Sequence, residues 1–188
     1  MIKTKTLLIL GAGASAPVGF PTGDVLFREV CKILRRVPGG DAQQSIQLRW
    51  IADAVNISEP GNAFGSIEIF RQALIDFLTH SVDAFLEHNH GFIRIGKCAI
   101  ATALLTKEYP SQHEKMMMGG EPIWYELLFS ALNAGFDDFQ NNKLSIVTFN
   151  YDRSLEYHLH RALKGLYHGK SDKECADKLN AIRRVNII

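Results

Sequence analysis

The chain has 188 residues, of which 46% are hydrophobic and 22% charged, and its net charge is +1. A chain of this length can bury enough surface for one domain with a real core, and the composition excludes disordered, collagen-like and low-complexity classes. The near-even charge balance gives no electrostatic case for a nucleic-acid or membrane partner, and the apolar runs at 6–10 and 123–125 are far below the ~20 residues that cross a bilayer.

The first predicted element is a strand over 5–10. Its unbroken apolar character is that of a parallel strand covered on both faces. A glycine-rich turn follows over 11–19. Thr22-Gly23-Asp24 then offers a cap for a helix to about Arg36, with Leu26, Val30, Ile33 and Leu34 in helical period. Pro38-Gly39-Gly40 ends it. From about 41 to 140 the pattern is helical. One stripe is Ile67, Phe70, Leu74, Phe77 and Leu78, continued by Val82, Phe85 and Leu86. Others are Ile100, Ala103 and Leu104, and, after Pro122, Ile123, Trp124, Leu127, Leu128, Ala131 and Leu132. The loop Met116-Met117-Met118-Gly119-Gly120 separates them.

This stretch is too long for a single crossover helix and reads as a helical insertion into a sheet. The β-branched run 144–149 resumes that sheet. Asp152 caps a further helix that buries Leu155, Leu159 and Leu163. A shorter helix spans about 171–180, and 185–188 reads as another strand. The expected fold is α/β, a parallel sheet with a large helical insertion, in one domain over 1–188. A chain stopping on a strand suggests a domain incomplete at its C-terminus.

Three scattered cysteines, Cys31, Cys98 and Cys175, predict reduced thiols and a cytoplasmic setting. Without a Cys-x-x-Cys pair a zinc ribbon is not expected, and no metal is expected elsewhere. In Glu156-Tyr157-His158-Leu159-His160 only Glu156 and His160 share a helix face, which reads as a surface contact.

Two motifs carry the chemistry. Gly11-Ala12-Gly13-Ala14-Ser15-Ala16 follows a strand, and its glycines let a phosphate approach the backbone. The alternative is a turn that merely packs strand on helix. Pro17, Gly19 and Pro21 interrupt the helix that a dinucleotide-binding dehydrogenase would begin here, so hydride transfer is disfavoured. Thr148-Phe149-Asn150-Tyr151-Asp152 ends the second strand, where a parallel sheet meets its ligand. An amide such as Asn150 both donates and accepts, which suits a ribose hydroxyl or a water. The alternative makes Asn150 a turn residue and Asp152 a helix cap.

Together, Gly11-Ala12-Gly13-Ala14-Ser15, Gly19-Phe20-Pro21-Thr22 and Thr148-Phe149-Asn150-Tyr151-Asp152 resemble the SIR2-like family. This is the bacterial branch related to sirtuins and found in antiphage defence. Ser81-Val82-Asp83 and Gly96-Lys97-Cys98-Ala99-Ile100 resemble it too. The resemblance implies a Rossmann-like sheet with a helical insert, and an NAD-binding domain that hydrolyses NAD to nicotinamide and ADP-ribose. It implies that Gly11, Ala12, Gly13, Ala14 and Ser15 wrap the pyrophosphate and adjacent ribose. Pro21 and Thr22 would lie at the nicotinamide end, and Asn150, Tyr151 and Asp152 at the nicotinamide-side ribose. Asn150 and Asp152 would order the attacking water.

The family also uses a histidine base. His168-Gly169, 18 residues after Asn150, is one candidate. The other lies beyond Ile188, since in this branch the histidine follows a strand like 185–188. Deacylation is not implied, because the zinc-binding cysteine pairs of deacylating sirtuins are missing. An activating partner or appended domain and a homo-oligomer are implied. A non-catalytic nucleotide-binding or interaction module is the alternative.

Overall fold

A computed structural model describes residues 1–35, 42–57, 61–108 and 124–186, with 42–45 and 183–186 described by backbone alone. The expected break at Pro38-Gly39-Gly40, the loop at Met116-Gly120 and Pro122 lie outside these residues. The fold is mixed α/β and mostly helical, with a small parallel sheet. The chain divides into two compact units, Met1–Phe20 with Pro110–Ile188, and Pro21–Tyr109. The helical unit therefore starts before residue 41 and ends before 140.

In the first unit, β1 (Thr6–Leu10), β2 (Leu144–Thr148) and β3 (Arg183–Asn186) run parallel in the order β1-β2-β3. Leu10 pairs with Thr148, and Thr148 with Asn186, so the strands finish side by side. Leu144, Ile146 and Thr148 are buried, and Leu8 and Leu10 half-buried. Leu7 and Ile9 are instead 57% and 67% exposed. The expectation of two covered faces is corrected here. Successive side chains of a strand point to opposite faces, and the face of β1 that carries Leu7 and Ile9 is exposed.

The helices of this unit are Trp124–Leu132, Ser154–Leu166 and Asp172–Asn180. The second of these buries Leu155, Leu159 and Leu163, as its period predicts. Helix Trp124–Leu132 departs from the expected face. It buries Tyr125, Leu128 and Leu132, while Leu127 and Ala131 are exposed. Asn142 ties the unit together. Its Nδ2 donates to the carbonyls of Leu132 and Phe139 at 2.9 and 2.8 Å, and its Oδ1 accepts from the Ile2 N–H at 2.7 Å.

The second unit contains α1 (Gly23–Leu34), α2 (Ala42–Asn56), α3 (Ala63–Ile75), α4 (Val82–His88) and α5 (Ile93–Leu105). The three helices of the first unit are accordingly α6, α7 and α8 in chain order. Phe70 and Leu74 of α3, Val30 and Leu34 of α1 and Ile51 of α2 are essentially buried. The stripe expected to run from Ile67 to Leu78 stops early. Helix α3 ends at Ile75, and Leu78 is 91% exposed. Ser81 accepts from the Ala84 N–H at 3.2 Å and so caps α4. Among the described residues no helix is long and apolar enough to cross a membrane.

Candidate functional site

Both chemical motifs lie at the carboxyl end of the parallel sheet. After Leu10 the chain makes two single turns of 3-10 helix, Ala12–Ala14 and Ala16–Val18. Gly19, at φ 91°, ends the second in the left-handed region that glycine occupies without strain. The Ser15 carbonyl accepts from the N–H groups of Val18 and Phe20 at 3.1 and 3.2 Å, which closes the loop on itself. The Phe149 N–H donates to the Leu10 carbonyl at 3.0 Å, so the loop after β2 stays beside the glycine turn.

Gly11 and Gly13 have no internal reason to be glycine. Neither has a positive φ, and a Cβ built on either meets nothing within 4 Å. The simple packing explanation of this turn therefore lacks support at these two positions. Gly11, Ala12 and Gly13 are exposed and Ala14 is half-buried.

Ser15 turns inward and is 1% exposed. Its Oγ accepts from Asn150 Nδ2 at 2.9 Å and lies 3.3 Å from Ser154 Oγ. Asp152, 8% exposed, accepts through Oδ1 from both the N–H and the hydroxyl of Ser154, the former at 2.9 Å. Asp152 thus serves the N–H of the first residue of α7 from one position ahead of the N-cap, which is Arg153 and makes no side-chain cap, so the expected cap is displaced by one residue. Tyr125 OH lies 2.6 Å from Ser154 Oγ. Burial pushes the Tyr125 phenol pKa above its usual value, against the opposing effect of the Ser154 and Ser15 hydrogen bonds. His158, one turn along α7 and buried, stacks on Tyr125 at 4.9 Å between ring centroids. Trp124 Nε1 donates to the Ala14 carbonyl at 2.6 Å and pins the glycine turn.

A buried polar atom without a hydrogen bond loses its hydration without return. In this cluster Asn150 Oδ1 is such an atom. A group bringing an O–H or N–H to it would restore the missing bond.

No family model matches this chain, and no curated protein or solved structure matches it.

Of the residues singled out from sequence, Gly11, Ala12, Gly13, Ala14, Ser15, Asn150 and Asp152 come together. Tyr151 sits between the last two and is exposed. Pro21 and Thr22 open the helical unit. There Thr22 Oγ1 donates to Asp24 Oδ1 at 2.8 Å, and with Arg28 it lowers the Asp24 pKa. His168 is exposed in the turn after α7. It stands beyond the far end of that 13-residue helix, some ~20 Å of helix from Ser154. Glu156 and His160 have separate partners, Arg153 at 3.7 Å and Asp172 at 3.9 Å. Among the described residues no group of three His, Cys, Asp or Glu side chains is placed to hold a metal.

Sequence reading missed Tyr125, Ser154 and His158. Ser154 carried a local signal, since an Asp two residues ahead of a serine at a helix start favours this side-chain-to-backbone bond. His158 carried a weaker one, lying four residues on along the same helix face. Tyr125 carried none, because its partner is 29 residues away.

Proposed function

We propose that this chain is a SIR2-like domain with a Rossmann-like sheet, binding NAD at the carboxyl ends of β1 and β2 and hydrolysing it to nicotinamide and ADP-ribose. The observation that carries the reading is the unmet carbonyl oxygen of Asn150 beside a glycine turn whose Cβ positions are open. Open glycines suit a pyrophosphate against the backbone. An amide acceptor suits a ribose hydroxyl or a water. Loss of neutral nicotinamide leaves an oxocarbenium-like ribose, and its partner must be a held and oriented water. The inward turn of Ser15 supports a narrower role for it than wrapping the pyrophosphate. It holds Asn150, and the exposed residues Gly11, Ala12 and Gly13 are left to meet phosphate. The wider reading is a cytoplasmic antiphage defence protein, working as a homo-oligomer with an activating partner or appended domain.

The test is nicotinamide release from NAD. Asn150→Ala should lower release, or NAD affinity where release is absent, by about tenfold or more, the scale of one lost hydrogen bond. An unchanged response would remove Asn150 from the site. A binding-only role is the second reading. The exposed position of His168, a helix length from the cluster, favours it. Calorimetric binding of NAD with no nicotinamide release would support that reading over hydrolysis.

A further inference from the structure

The hydrogen bonds around Ser154 have a direction, and it follows from counting protons. A serine hydroxyl has one proton and two acceptor sites, whereas a carboxylate only accepts. Ser154 Oγ contacts Asp152 Oδ1, Tyr125 OH and Ser15 Oγ. Its single proton goes to the carboxylate. Tyr125 OH, 2.6 Å away, then donates to Ser154, and Ser15 Oγ, which lies beside both Ser154 Oγ and Tyr125 OH, has one of these two oxygens to donate to. The Ser15 proton is now committed. Its contact with Asn150 is then one that Ser15 accepts. The Asn150 NH2 therefore points at Ser15, and its carbonyl oxygen points away and is left unmet. The two ends of an amide have nearly the same shape, so the bonded network decides which way it faces.

We propose that Ser154 and Tyr125 are positioning residues: with Ser15 they form a one-way chain onto Asp152 that holds Asn150 with its carbonyl oxygen as the acceptor offered to a bound hydroxyl or water. The proposal rests on the reading of Asn150 as a ligand-facing residue. It assigns Asp152 an indirect part, since this carboxylate is buried and spends Oδ1 on Ser154. It also gives the site a chemical preference. A chain running the other way would turn the NH2 outward and favour an anionic oxygen. This chain favours an O–H donor and disfavours phosphate at the same position.

The decisive readout is the side-chain NH2 of Asn150 in the 15N-labelled chain, assigned by its disappearance in Asn150→Ala. In the wild type this NH2 should exchange slowly with solvent, because Ser15 holds it. Ser154→Ala takes the link to Asp152 out of the chain, deprives Ser15 of one of its acceptors and lets the amide turn. Its exchange should quicken about tenfold, the loss of one net hydrogen bond. Ser154→Thr, which keeps the hydroxyl, should restore protection. Tyr125→Phe removes one donor and leaves the rest of the chain, so a smaller quickening is expected. That variant carries the test if Ser154→Ala does not fold. An Asn150 NH2 unchanged in a folded Ser154→Ala chain, or unprotected in the wild type, overturns the proposal. Calorimetry with NAD and with inorganic phosphate is run on the same variants. Protection that responds as expected while NAD does not bind would leave the chain of bonds standing and overturn the NAD reading alone.

Discussion

The two units bury different kinds of side chain. Among the described residues seven polar or charged side chains are buried, and Thr102 is the one that lies in the helical unit. Ser15, Asn142, Thr148, Asp152, Ser154 and His158 all lie in the sheet unit. The helical unit has an aromatic centre instead. Phe70 packs on Phe85 and Phe92 with ring centroids 5.7 and 5.5 Å apart. Apolar packing is non-directional and tolerates many sequences of similar volume. A buried polar cluster tolerates few, because each donor and acceptor needs its partner. The helical unit is held by apolar volume, whereas the sheet unit must also satisfy buried donors and acceptors one by one.

The comparison breaks most visibly through volume. Phe70 is 0% exposed, and Phe70→Ala should destabilise the chain by about 3–5 kcal/mol through lost burial and a cavity. Urea denaturation followed by circular dichroism measures it. A cost below about 1 kcal/mol, the scale of a surface change, would mean that the aromatic centre is not tightly packed. In the sheet unit, Asn142→Ala should cost somewhat less, about 3 kcal/mol. It strips three side-chain hydrogen bonds and leaves the buried Leu132 carbonyl short of a donor, while the Phe139 carbonyl keeps the residue 142 N–H. Asn142→Asp should not rescue it, since the lost bonds are ones that the amide NH2 donates. A fully rescued Asp variant would contradict the bonds drawn here.

A third variant separates chemistry from stability. Gly13→Ala adds a methyl group into open space at an ordinary φ, so stability should change by less than about 1 kcal/mol. If phosphate approaches this backbone, NAD affinity should still fall about tenfold, because the methyl group occupies the ligand's side of the turn. Thermal denaturation and calorimetry with NAD, run on one sample, read both effects. Full affinity in Gly13→Ala would move the pyrophosphate elsewhere.

The local elements were legible in the sequence, and the reasons are physical. Strand β1 and helices α1 and α7 announce themselves by their apolar pattern, which acts over a few residues, although the Thr22 expected to cap α1 makes no side-chain capping bond. The neighbouring glycine and Asn150 segments follow from parallel strands ending together. What the sequence did not disclose depends on long-range partners. Leu7 and Ile9 look like core residues, yet the face of β1 that carries them is exposed, which no local window shows. Leu127 fits a helical stripe, yet Tyr125 takes the inner face because its hydroxyl meets Ser154 across 29 residues. Asn142 looks like a turn residue, and its reach to Ile2 is invisible without the fold. Apolar period predicts which residues want burial, but a buried polar group is placed by a partner that no local window contains.

The smallest expected effect is electrostatic, and it lies on the surface of the sheet unit. Glu174 and Ser171 form a reciprocal cap at the start of α8. The carboxylate accepts from the Ser171 N–H at 2.8 Å and from its hydroxyl at 2.8 Å, while Ser171 Oγ accepts from the Glu174 N–H at 3.2 Å. The Ser171 backbone bond, then the Ser171 hydroxyl and Lys170, lower the Glu174 pKa from 4.5 to about 2. A carboxyl whose pKa falls on folding stabilises the folded state above its unfolded pKa. That contribution is present at neutral pH. It fades as pH drops from about 4.5 towards 2, through the folded value. The Ser171 amide proton reports it directly, and its NMR shift should titrate with a midpoint close to 2. In Glu174→Gln the titration should vanish while Ser171 Oγ still accepts from the residue 174 N–H. A midpoint near 4.5 in the wild type would show that the carboxylate does not hold this bond in solution, and the start of α8 would then rest on Ser171 alone.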